Sequence, residues 1–102
     1  MKDKLVAIAQ SENVYFFRGL GFTTYLADDE IKMRKVLDEL TKDTQLIVID
    51  EKLQSLIGDY RRRISDKAFP IIVALPIDES ATGQGLEKLR DDVEKAIGLK
   101  LF

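Results

Sequence analysis

Two places along the chain set polar, titratable side chains directly after an apolar run. Gln10, Ser11 and Glu12 follow Leu5–Ala9, and Asp50, Glu51 and Lys52 follow residues 46–49. A carboxylate that ends a buried central strand stands where a phosphoacceptor would. Asp50 would then be the phosphoacceptor. That chemistry needs a Mg²⁺ held by several carboxylates and a cation to neutralise the transferred group. The first run ends in Ala9-Gln10, without the acidic pair such a metal requires. A local role competes with the chemical one: Asp50 caps the helix that follows, and Glu51 occupies its first turn, where negative charge is favoured.

The residues that are missing narrow the chemistry further. The 102-residue chain has no His and no Cys. It therefore lacks the commonest general base, any thiolate nucleophile and the usual transition-metal ligands. With 16 Lys+Arg against 18 Asp+Glu and no Trp, the net charge of -2 argues against a nucleic-acid platform, which needs a net basic face. Gly19-Leu20-Gly21 begins like a dinucleotide fingerprint but follows a helical stretch, whereas that fingerprint must follow a strand. Thr82-Gly83-Gln84-Gly85 precedes a helix but lacks the Gly-Lys-Ser/Thr ending of a phosphate loop. Arg61-Arg62-Arg63, the one basic cluster, falls late in a helix, where cations complement the dipole. These residues predict no catalytic centre, no cofactor and no metal.

The elements that would carry these residues follow from hydrophobic patterning. Short continuous apolar runs at 5–9, 46–49 and 71–75 read as strands covered on both faces. Residues 22–27, with Thr23, Thr24 and Tyr25, read as a more polar strand at an edge. Between the strands lie amphipathic stretches. Ser11 caps an aromatic-rich helix over 14–20, stopped near Gly19 and Gly21. Asp28, Asp29 and Glu30 open a helix with the stripe Met33, Val36, Leu37 and Leu40. Leu53, Leu56, Ile57, Tyr60 and Ile64 mark the next. Alternating strands and helices predict an α/β fold, a small doubly wound four-stranded parallel sheet in the order 2-1-3-4. That order leaves the apolar run 71–75 at an edge, a liability unless something covers it.

No apolar run approaches the roughly 20 residues that span a bilayer, and residues 1–12 lack the pattern of a signal peptide. The expectation is a soluble, cytoplasmic protein with no direct membrane insertion. The length predicts one domain: an α/β core at 1–76, a polar loop at 77–85, and a C-terminal helix and tail at 86–102. That helix carries a narrow stripe, Leu86, Leu89, Val93 and Ile97, between charged flanks. Such a stripe suits a helix laid against a partner helix, and equally one laid on the sheet. With Arg90 beside it and the apolar Leu101 and Phe102 after it, the segment reads as a partner interface.

In order along the chain, Phe17-Arg18, Gly21-Phe22, Ile49-Asp50-Glu51, Pro70-Ile71-Ile72, Leu75-Pro76, Gly85-Leu86-Glu87 and Val93 to Gly98 resemble the F subunit of the V-type and archaeal-type ATP synthases. The resemblance covers essentially the whole chain and rests on the ensemble, not on one diagnostic motif. Ile49 stands where that family typically has Thr or Ser, which alters only a local cap. The resemblance implies a noncatalytic central-stalk subunit whose C-terminal segment packs along the coiled-coil axle, the D subunit. It would meet the catalytic hexamer transiently and couple ATP turnover to rotation and to proton or sodium translocation. A second likeness, to the receiver domains of response regulators, rests on Asp50 alone. Receivers carry an acidic pair after the first strand and a Lys ending a fifth, and this chain has neither.

Overall fold

Three apolar stretches and one more polar one become the strands of one parallel sheet: β1 (Leu5–Ala9), β2 (Thr23–Leu26), β3 (Leu46–Asp50) and β4 (Ile71–Leu75), in the order β2-β1-β3-β4. The computed structural model describes residues 4–40, 42–78 and 83–97. Register aligns Ala7 with Val48 and Thr24 across β1, and Val48 with Val73 across β3. Because successive residues of a strand point to opposite faces, each central strand feeds two cores. Val6, Ile8, Ile47 and Ile49 pack on one face with Met33, Val36, Leu53 and Ile57. Ala7, Ala9 and Val48 pack on the other with Val14, Phe17, Leu89 and Val93. This double burial is why β1 and β3 are written in unbroken apolar residues.

Residues Glu12–Leu20 form a 3-10 helix, capped by the Ser11 hydroxyl, which accepts from the Asn13 N–H. With three residues per turn, Val14, Phe17 and Leu20 fall on one face, and the first two are fully buried. The small Ala7 and Ala9 of β1 leave room for Phe17, whose ring meets Phe16 and Phe22 edge-on at 5.6 and 5.2 Å. The segment stops at Gly21, at φ +90°, whose N–H closes on the Arg18 and Phe17 carbonyls. Helix α1 (Glu30–Glu39) starts from Asp29, whose carboxylate accepts the Lys32 N–H at 2.8 Å. After β3 the chain forms a second 3-10 segment, Glu51–Ile57, and only then α2 (Gly58–Arg63). The single helix expected there is thus two pieces, divided at Gly58, a poor helix former.

Helix α3 (Gly83–Ile97) begins three residues before Leu86, so part of the stretch expected as loop is its first turn. The first N–H groups of a helix have no partner within it, so glycines cost least there. Ile77, expected in a polar loop, is fully buried among the residues that Leu89 and Val93 cover. Strand β4 is at the edge, as the expected order has it, but its cover is thinner than its apolar run predicts: Ile71 is 52% exposed and Ile72, Val73 and Ala74 are half-buried.

Candidate functional site

In an open parallel sheet, ligands settle beyond the carboxyl ends of the strands, where the strand order reverses; here that lies between β1 and β3. The chain fills this place with its own carboxylates. Asp50, the last residue of β3, has no exposed surface. One of its oxygens accepts the Lys52 N–H at 2.9 Å, capping the second 3-10 segment. The other accepts the Asp78 N–H at 2.9 Å. Asp78 reaches across in turn: its carboxylate accepts the Ser11 N–H at 2.8 Å and the Gln10 N–H at 3.2 Å. The Asn13 side-chain amide adds bonds to the Ile77 and Asp78 carbonyls, at 3.2 and 3.3 Å. The ends of β1, β3 and β4 are clasped together by these bonds.

The clasp decides what Asp50 can do. Burial holds its carboxyl above the ordinary value of 3.8, and the nearby Asp78 charge pushes the same way. The two amide hydrogen bonds pull the other way. A phosphoacceptor must present an oxygen to its donor, and the Asp50 carboxylate is buried with a backbone amide held on each oxygen. Among the described residues, no three acidic groups converge where a metal ion could sit. The local cap read from the sequence is present, joined by a long-range bond the sequence did not announce. Sequence patterning alone does not single out Asp78 or Asn13; the one available signal is a turn-forming Asp shortly after Pro76.

The residues read as a partner interface are placed unevenly. Leu89 and Val93 are 1% and 0% exposed, and they cover the face of the sheet that carries Ala7 and Val48. Arg90 is half-buried beside them. Glu87, Lys88, Asp91 and Lys95 form the exposed side of α3. Of Leu86 and Ile97 only the helical backbone is described, and Leu101 and Phe102 lie outside the described residues.

Comparison with known proteins bears on the whole arrangement. The family profile of the ATP synthase (F/14-kDa) subunit matches residues 5–93, from the first residue of β1 to Val93 of α3. The chain belongs to that family. It is 27% identical over 100 residues to the F subunit of the V-type ATP synthase of Fusobacterium nucleatum, covering 97% of this chain and 95% of that one. The corresponding F subunits of Clostridium botulinum (strain Eklund 17B) and Clostridium perfringens are each 22% identical over 103 residues. Those matches span 100% of this chain and 100% and 98% of theirs. The family match therefore takes in the sheet, the clasp and the buried part of α3 together. Among the described residues, no helix is long and apolar enough to cross a membrane.

Proposed function

We propose that the chain is a noncatalytic subunit of the central stalk of a V-type or archaeal-type rotary ATP synthase. There it binds the coiled-coil axle, the D subunit, faces the catalytic hexamer transiently, and helps couple ATP turnover to rotation and to proton or sodium movement. It acts at the cytoplasmic side, peripheral to the membrane. The family match over residues 5–93 carries this reading. The clasped switch point supports it, since the place where such folds bind small ligands is taken by Asp50 and Asp78.

The proposed contact with the axle is the C-terminal segment: Leu86, Leu89, Arg90, Val93, Ile97, Leu101 and Phe102. Because Leu89 and Val93 cover the sheet in the free chain, engaging them requires α3 to lift. Uncovering two aliphatic side chains costs about 3–6 kcal/mol, and reburying them in an axle seam returns a similar amount. The same stripe thus serves two surfaces in turn. Co-expression with the axle protein, followed by size-exclusion chromatography, tests the reading. A stable stoichiometric complex is expected; separate elution at micromolar concentrations counts against it.

A further inference from the structure

At the end of the sheet opposite the clasp, the chain before β3 meets the end of α2 and the chain before β4 in an open groove of about 700 Å³. Lys42 and Thr44 come from the chain leading into β3, Tyr60, Arg63 and Ile64 from the end of α2, and Lys67, Phe69 and Pro70 from the chain leading into β4. Among the described residues three cations line it and no carboxylate does, on a chain whose net charge is -2. Arg62 is paired with Asp59 instead. The Arg63 guanidinium lies over the Tyr60 ring at 5.6 Å, and burial holds the Tyr60 hydroxyl above its ordinary value. Beside the cations the surface is apolar: Phe69 is 53% exposed, and Ile71 at 52% continues the patch onto β4, which pairs with β3 alone among the described residues.

We propose that this groove docks an acidic segment of a neighbouring subunit, seating an aliphatic or aromatic side chain against Phe69 and its carboxylates on Lys42, Arg63 and Lys67. The inference rests on the stalk-subunit reading and adds a second contact to it. The sign of the groove sets the sign of the partner. Its construction argues against a small anion: the cations are exposed, and the one deeply buried polar side chain, Thr44, already has a partner. An exposed aromatic beside an exposed Ile on an edge strand is surface of the kind partners cover.

The test uses the full chain and the rotary complex stripped of this subunit, with binding followed at low and at physiological ionic strength, where the Debye length falls from about 30 to 8 Å. Wild-type chain should rebind, more weakly as salt rises. Arg63→Glu and Lys67→Glu should each weaken rebinding about tenfold or more and flatten its salt dependence. Phe69→Ser should weaken it without changing the salt slope, and Lys35→Glu, on the exposed side of α1, should leave it unchanged. Circular dichroism checks that each variant is folded. Groove variants that rebind like Lys35→Glu overturn the groove and leave the stalk reading standing. If wild-type chain fails to rebind, both fall. Micromolar binding of inorganic phosphate or ATP by the free chain, lost in Lys67→Glu, would make the groove a small-anion site and overturn the proposal.

Discussion

Replacing Asp78 by alanine should open the clasp at the switch point. The Asp78 carboxylate accepts two backbone amides, from Ser11 at 2.8 Å in a partly buried setting and from Gln10 at 3.2 Å at the surface. A hydrogen bond to a charged acceptor contributes about 1.5–3 kcal/mol when its donor is left without a substitute, as the Ser11 amide would be. The Gln10 amide can turn to water and adds about 0.5 kcal/mol at most. Removing the charge also relieves its repulsion on Asp50, a small offset. The net expectation is a loss of about 2–3 kcal/mol, a large share of the 5–15 kcal/mol typical of a domain. For a chain of this length, that corresponds to a fall in Tm of about 10–20 °C. Asp78→Asn keeps one acceptor oxygen and should lose about half as much. Urea unfolding followed by circular dichroism gives the free energy, with an unchanged m-value confirming that the unfolded state is the same. Amide exchange at Ser11 and Gln10 should accelerate in step. A loss below about 0.5 kcal/mol for the alanine variant would mean that burial of Ile77, and not the carboxylate, holds this end of the sheet together.

Asp50 links stability to pH. Its carboxyl is held above 3.8 by burial, so between that value and its raised native value the folded chain binds more protons than the unfolded one, and stability falls as pH rises through the window. Asp50→Asn should remove this descent; parallel wild-type and variant curves of urea midpoint against pH would contradict it. Leu89→Ala should destabilise the free chain by about 2–5 kcal/mol, because Leu89 is 1% exposed within the core and leaves a cavity, whereas a partner-only role would leave unfolding unchanged. Gly21→Ala should cost about 1–2 kcal/mol from its left-handed backbone alone, since no atom within 4 Å would meet the added methyl; a neutral thermal melt would refute this. Incubation with a small phosphodonor and Mg²⁺ should leave Asp50 unmodified by intact-mass measurement, because its carboxylate is buried and tied to two backbone amides; stoichiometric phosphorylation would revive the receiver reading.

Much of this architecture can be read along the chain because burial on two faces leaves a mark that burial on one does not. The runs at 5–9 and 46–49 are unbroken because each residue meets a helix above or below the sheet. The polar Thr23, Thr24 and Tyr25 mark β2 as an edge, and together these features dictate the strand order. The caps at Ser11, Asp29 and Asp50 are equally local, since each bonds an amide two or three residues on.

Other features depend on where distant segments meet. A stripe at helical spacing looks the same whether it faces a sheet or a partner helix, so the burial of Leu89 and Val93 against Ala7 and Val48 became visible only once α3 was placed. The bond from the Asp78 amide to Asp50 spans 28 residues, and those from Gln10 and Ser11 to Asp78 span 68 and 67; no local spacing announces them. The groove at the opposite end gathers Lys42, before β3, with Arg63 at the end of α2 and Lys67 in the chain before β4, each an ordinary surface cation in its own stretch. Hydrophobic periodicity records what one element needs from its surroundings. Which surroundings meet that need depends on contacts between elements, and those form only in the folded chain.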